Sequence, residues 1–272
     1  MPIRLARYSD IPEMSTVLAA SFGPDKLFQV MFPNQKQYPE DFVDAFRTRL
    51  RESWWDYSRV LMVSYTTIAS NNNTAPPSET NNAVTEAEVI TGMAEWERVG
   101  TGWEKVWNAW GRWDPRHLIK HFIRTFHLIR RTLSPNRAAV RPTPQDPQPL
   151  TWDNFGPTIG PFTAQYFSHP PWRRNHWDLN ILAVHPLHQN QGYGRALATW
   201  GVARSSAEGV PAAVVGAEGK ENFYRSCGFR LLAGWASQAT DKDGNENPLA
   251  KRGVGGGAIL WSAVKEDRAD DG

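Results

Sequence analysis

Gln189, Gly192 and Gly194 stand at Gln-x-x-Gly-x-Gly spacing, inside the run Gln189-Asn190-Gln191-Gly192-Tyr193-Gly194-Arg195. An apolar run ending at Val184 precedes them and a helical pattern follows. Glycines at a helix mouth let successive backbone N–H groups turn toward one guest, and the aligned peptide dipoles add positive potential there. Such a cradle suits phosphate oxygens. Arg195, one residue further on, could add a point charge. The same spacing also makes a plain turn. It is not a dinucleotide fingerprint, because G-x-G-x-x-G is absent, nor a Walker loop, because no Gly-Lys-Ser/Thr follows.

Groups able to move protons lie on either side. Asn222-Phe223-Tyr224-Arg225-Ser226-Cys227-Gly228-Phe229 offers a phenol, and Asp178 a carboxylate on the strand before the loop. Glu95 and Glu97 alternate with Trp96 and so share a strand face. Each has a plainer reading: a Tyr packing its ring, or an Asp bonded to solvent or backbone. Cys227 falls at a helix end beside Gly228 with no evident His partner, which reads as a packed thiol. His117 and His121 are spaced i, i+4, but no third ligand accompanies them. They read as part of a solvated face, and no metal is expected.

These groups need a scaffold. His176 to Val184 reads as a buried strand, Gly192 to Ala207 as a helix and Pro211 to Gly216 as a short apolar strand. Glu218 to Cys227 reads as a helix capped by Gly228, and Phe229 to Ser237 and Ala258 to Val264 as strands around a flexible turn, Thr240 to Gly257. At the front, Pro2 to Tyr8 alternates as an edge strand, and Ser9-Asp10-Ile11-Pro12-Glu13 starts a helix over Ile11 to Phe22. Pro39 to Trp55 is a second amphipathic helix; Arg59 to Ser70 and Glu88 to Val99 are strands joined by a mobile loop, Asn71 to Asn82. Gly100 to Arg174 is irregular. It holds a basic amphipathic helix, His117 to Leu133, with Leu118, Phe122, Phe126, Ile129 and Leu133 on one face and Lys120, Arg124 and Arg131 toward the other. The proline-rich Ser134 to Trp152 follows, a loop either ordered by its contacts or mobile. Lacking strands, 100–174 reads as a helical insertion within a single 1–272 domain, and 265–272 as a flexible acidic tail.

With 40% hydrophobic and 21% charged residues, the 272-residue chain falls in the soluble globular class and can bury a sizeable core. Its net charge of +2 gives no global pull toward nucleic acid or a membrane, and neither partner is expected. The single cysteine excludes an internal disulfide and fits a reducing compartment. No apolar signal region or eighteen-residue apolar run occurs, so the expected location is cytoplasmic, with nuclear as the alternative. Thirteen Trp, including the near-helical series Trp103, Trp107, Trp110 and Trp113, point to aromatic packing and to a possible wall for an organic ligand.

Gln-x-x-Gly-x-Gly after a strand ending in Leu-Ala-Val-x-Pro, with Tyr224-x-x-x-Gly228-Phe229 downstream, resembles the signatures of GNAT acetyltransferases, fungal ones of this length in particular. The resemblance covers Pro2 to about Phe32, Arg59 to Val99 and His176 to Val264. It implies an α/β (α+β mixed-sheet) fold: six to seven strands in a twisted mixed sheet, flanked by helices, with the helical insertion. It implies acetyl-CoA as co-substrate, with pantetheine in a gap between two splayed parallel strands. Leu182, Ala183 and Val184 would meet acetyl and pantetheine through their backbones; Gln189, Asn190, Gln191, Gly192, Tyr193, Gly194 and Arg195 would hold the pyrophosphate, and Asn222 would help bind the cofactor. The N–H of Leu182 or Ala183 would serve the oxyanion. Tyr224 falls at the family's general acid. Asp178 is the first choice for base, with Glu95, Glu97 or water as rivals. The expected reaction is direct transfer of acetyl to a primary amine of a small molecule in a ternary complex, by a monomer or homodimer. A protein lysine or N-terminus, a hydroxyl acceptor, a longer acyl group and a non-catalytic acyl-CoA-binding module are the alternatives.

Overall fold

A computed structural model describes residues 1–70, 85–101 and 116–262. Seven strands form one sheet: β1 Ile3–Leu5, β2 Arg59–Ser70, β3 Thr85–Val99, β4 His176–Val184, β5 Ala212–Gly216, β6 Leu231–Trp235 and β7 Ala258–Trp261. Their spatial order is β1-β2-β3-β4-β5-β7-β6, and only the β4–β5 pairing is parallel. The expected mixed sheet of six to seven strands flanked by helices is present, with seven strands.

Eight helices are described: α1 Ile11–Phe22, α2 Lys26–Met31, α3 Pro39–Trp54, α4 Arg116–Leu133, α5 Phe155–Ser168, α6 Tyr193–Glu208, α7 Glu221–Ser226 and α8 Pro248–Lys251. On one face of the sheet, Leu61, Val63, Met93, Ile181 and Ala183 pack against residues of α1, α2, α3, α5 and α8. On the other, Val60, Met62, Trp96, Trp177, Leu179 and Val214 pack against α6 and α7. A third cluster, Ala213, Ile259 and Trp261 with Tyr166, Phe167 and Trp172, extends the α5 side toward the far edge.

Several boundaries differ from the sequence expectation. Helix α2 was not foreseen, because six residues are too few to show a 3.6-residue period; Asp25 caps it, accepting from the Leu27 N–H at 2.8 Å. Helix α5 was hidden by Gly156, Pro157, Gly160 and Pro161. Burial of Ile159 and Phe162 holds it despite the internal Pro161. The stretch read as a flexible turn contains α8 and the buried Asn247, whose Nδ2 donates to the Ala236 and Ala239 carbonyls at 2.5 and 3.2 Å. The proline-rich loop is ordered by contact. Ala138 and Leu150 are buried in the first cluster, and Arg137–Asp41 and Arg252–Asp146 ion pairs fasten its ends. The expected mobile loop at 71–82, the Trp103–Trp113 series and the acidic tail lie outside the described residues. Among the described residues no helix is long and apolar enough to cross a membrane.

Helix α4 packs on a flank that the sequence did not single out. The sequence places Leu118, Phe122, Phe126, Ile129 and Leu133 on one face of an amphipathic helix, and that face is exposed. The positions turned inward are instead Ile119, Ile123 and His127, and Arg130 pairs with Asp44 of α3 at 2.9 Å.

Candidate active site

Strand β4 pairs with β5 at only three positions, Trp177↔Ala212, Asp178↔Ala213 and Leu179↔Val214. Beyond Leu179 the two strands part, and β5 continues on its other edge with β7, through Val215↔Ile259 and Gly216↔Ala258. Asn180 to Val184 therefore presents an open strand edge. The register with β3 passes from Glu95↔Ile181 to Trp96↔Leu179, so Asn180 is an extra residue, a bulge. It resets the alternation of faces: Trp177 and Leu179 face α6, and so does Leu182. His185 donates its N–H to the Thr91 carbonyl on β3 at 2.8 Å. Because backbone groups alternate along a strand, the Ala183 N–H and C=O also turn to β3, and those of Leu182 and Val184 turn to the gap. The Val184 carbonyl is already held there, accepting from Ser21 Oγ at 2.9 Å and Gln189 Nε2 at 3.1 Å. Ser21, at the end of α1, was not found from sequence, since nothing in helix spacing says which strand end the helix will meet.

The loop after β4 carries left-handed residues at Asn190 (φ 61°) and Gly192 (φ 86°). A non-glycine side chain is strained at the second and tolerated as Asn at the first. The first helical bond is Ala196 N–H to the Gly192 carbonyl at 3.0 Å. Among the described residues no acceptor meets the backbone N–H groups of Asn190, Gln191, Gly192, Tyr193, Gly194 or Arg195. This is a concentrated set of free donors on a positive helix end. The side chains of the same residues do other things. Tyr193 is buried, Gln191 Nε2 donates to the Leu187 carbonyl at 3.4 Å, and Arg195 Nη2 donates to Ser226 Oγ at 3.0 Å. Asn222 is exposed on the first turn of α7.

Tyr224 is buried on α7, its ring lying against the end of β5: a Cβ added at Gly216 would stand 3.0 Å from ring carbons. Burial, with a smaller contribution from Cys227, pushes its phenol well above the usual range. The hydroxyl therefore keeps its proton, and the same shift makes it a weaker acid. Cys227 is buried and burial raises its thiol, consistent with packing rather than attack.

Asp178 shares its register row with Ala213 and Trp261, whereas Leu179 shares its row with Val214 and Leu260 and packs with Tyr224. Asp178 and Tyr224 thus lie on opposite faces of the sheet, with the open gap beside them. Burial and the nearby Glu97 charge push the Asp178 carboxyl up to about 7, while Arg59 opposes the shift. Its rivals are committed. Glu95 is fully buried, paired with Arg59 and, at 3.2 Å, with Arg49. Glu97 pairs with Arg59 at 3.0 Å and accepts from Asn180 Nδ2 at 2.6 Å. No hydrogen bond or ion pair engages the Asp178 carboxylate among the described residues. Arg59 was legible only as the first residue of a strand; its role depends on three strands meeting. No group of three or more His, Cys, Asp or Glu able to hold a metal occurs among the described residues.

Residues 160–231, from within α5 through β4, the loop, α6, β5 and α7 to the start of β6, match the profile of the acetyltransferase (GNAT) domain. The GNAT match is to this segment of the chain. The match begins inside the segment expected to be an insertion. A comparison with curated proteins finds no match. Among solved structures, the chain is similar to a histone acetyltransferase HPA2 and related acetyltransferase from Corynebacterium glutamicum: 16% identity, 96% of this chain, 95% of that chain, TM-score 0.49. It is also similar to a GNAT family acetyltransferase from Brucella melitensis in complex with acetyl-CoA: 17% identity, 96% of each chain, TM-score 0.36. Arylalkylamine N-acetyltransferase 2 from Aedes aegypti is a third, at 11% identity, 97% and 99% coverage and TM-score 0.40.

Proposed function

We propose that this acetyltransferase moves acetyl from acetyl-CoA to the primary amine of a small molecule, by direct attack in a ternary complex. The observation that carries the reading is the continuity of an open β4 edge with the free N–H groups of Asn190 to Arg195. An extended amide chain pairs with such an edge as an added strand does, and a pyrophosphate suits the donors that follow it. Leu182 and Val184 are the residues whose peptide groups turn to that chain, and the Leu182 N–H is the donor for the developing oxyanion. Residues 190–195 bind through the backbone, and Arg195 orients the end of α7 through Ser226. Asn222 lies exposed at the start of α7, where it can add a polar contact.

Asp178 takes the proton of the incoming ammonium from one face, so that a free lone pair attacks the thioester carbon. Tyr224 donates to the departing sulfur from the other. A carboxylate titrating near 7 is matched to this task at neutral pH. Its recessed position, beside Glu97 and Arg59, favours a slender cationic amine over a folded protein surface. The test is thiol release over a panel of amines, with CoA affinity measured in parallel. Turnover on small amines, lost in Asp178→Asn with CoA affinity retained, supports the reading. CoA binding with no release on any amine or peptide would assign a binding module instead, and release with lysine peptides alone would assign a protein acetyltransferase.

A further inference from the structure

Helix α4 leaves its most apolar side in water. Leu118, Phe122, Phe126, Ile129 and Leu133 are 68%, 75%, 61%, 54% and 81% exposed. They repeat at spacings of four, four, three and four, which places them on one stripe of the cylinder. The helix meets the body through a different flank, where His127 is buried and Arg130 pairs with Asp44. Stripes of this kind on a surface mark something that covers them.

The charge of the helix narrows what that is. Residues 116–133 contain five Lys and Arg, three His and no acid. Two copies facing each other through this stripe would bring two acid-free, cationic helices together, with Arg130 of each already paired to Asp44, and this opposes self-association. An acidic protein groove would have to enclose the helix with α3 already on one flank, where Arg130 meets Asp44. A flat anionic surface needs only the stripe. We propose that α4 is an interfacial anchor, inserting this stripe among the acyl chains of an anionic lipid bilayer while its cationic residues hold the headgroups. An apolar stripe opposite a Lys/Arg-rich, acid-free face is the composition of helices that lie in a bilayer surface. The helix is about 10 Å thick, so charges on its far side stay roughly one Debye length from the headgroups at physiological salt.

Flotation of the full chain with phosphatidylcholine vesicles, with and without about a third phosphatidylserine, tests this. The chain is expected to float with the anionic vesicles, less so as salt rises, and to stay behind with the neutral ones. Phe122→Ser with Phe126→Ser is expected to weaken partitioning by about a hundredfold through lost apolar burial, and Lys120→Gln with Arg124→Gln by about tenfold. Unchanged helicity by circular dichroism and unchanged cofactor affinity would show the fold intact in both variants. Three outcomes overturn the proposal: no flotation with either vesicle; flotation untouched by the Phe variants; or concentration-dependent dimerisation that Phe122→Ser abolishes. Retention on polyglutamate without flotation would also overturn it, in favour of an acidic protein.

Discussion

Burial and the neighbouring Glu97 charge raise the affinity of Asp178 for a proton, against the opposing pull of Arg59. As a base it must be ionised, so the rate of the wild-type enzyme is expected to fall as pH drops through about 7. Glu97→Gln removes a like charge and is expected to move that limb to lower pH; a limb that stays in place excludes Asp178 as the titrating base. Asp178→Asn is expected to lower kcat by about 10²–10⁴-fold, with CoA affinity retained. Stability has the opposite sign. A carboxyl whose folded pKa lies above its unfolded one contributes stability below the unfolded value, and that contribution is lost as pH rises through the folded value. Urea unfolding is therefore expected to find Asp178→Asn more stable than wild type at pH 8, with the difference shrinking toward pH 4. Tyr224→Phe keeps the ring against Gly216 and removes only the hydroxyl; cofactor affinity is expected to hold while kcat falls about tenfold or more. Asp178 and Tyr224 were both legible as candidates, because a motif fixes their distance along the chain from the glycine loop. Their opposition across the sheet was not, because facing depends on the bulge at Asn180, and one-residue slips leave no mark in composition.

Helix α6 unites the loop with the sheet. Trp96 lies against it, with Nε1 donating to the Leu197 carbonyl at 3.3 Å, and a Cβ at Gly201 would stand 2.2 Å from the indole. Both partners of that contact are fully packed, so Gly201→Ala is expected to destabilise the chain by about 1–3 kcal/mol through overpacking; a denaturant midpoint equal to wild type would show that the indole moves freely. At the helix mouth Gly192 sits at φ 86°. Gly192→Asp is expected to abolish CoA binding, since it strains the turn and puts a carboxylate among the donors; Gly192→Asn, better tolerated in the left-handed region, is expected to retain part of it. Equal, undiminished cofactor affinity in both variants would show that the loop does not hold the anion. Strands β2 and β4 and helix α1 were read from sequence with their observed limits, because long periodic runs bounded by caps or turns carry their own boundaries. The short α2 and the Pro-interrupted α5 were not, since each is a helix by virtue of what it packs on.

The whole molecule assigns different work to the two faces of its sheet. One carries helices α6 and α7; the other carries the remaining helices of the core and the charged row of Glu95, Glu97, Arg59 and Asp178. The proline-rich loop belongs to that second face. Leu150→Ala is expected to cost about 2–5 kcal/mol as a core truncation, whereas Arg137→Ala, which breaks an exposed pair with Asp41, is expected to cost no more than about 1 kcal/mol. Comparable losses measured by thermal or denaturant unfolding would mean that the loop is fastened by its charges. Sequence by itself determined the strand–loop–helix cradle, the downstream tyrosine and the order of most elements, because these depend on residues close in the chain and on backbone freedom at glycine. Tertiary structure alone decided where β4 and β5 part, which carboxylate is left unpaired, and that the apolar stripe of α4 faces outward. Each of these is a contest between distant segments for one partner, and a linear sequence does not record its winner.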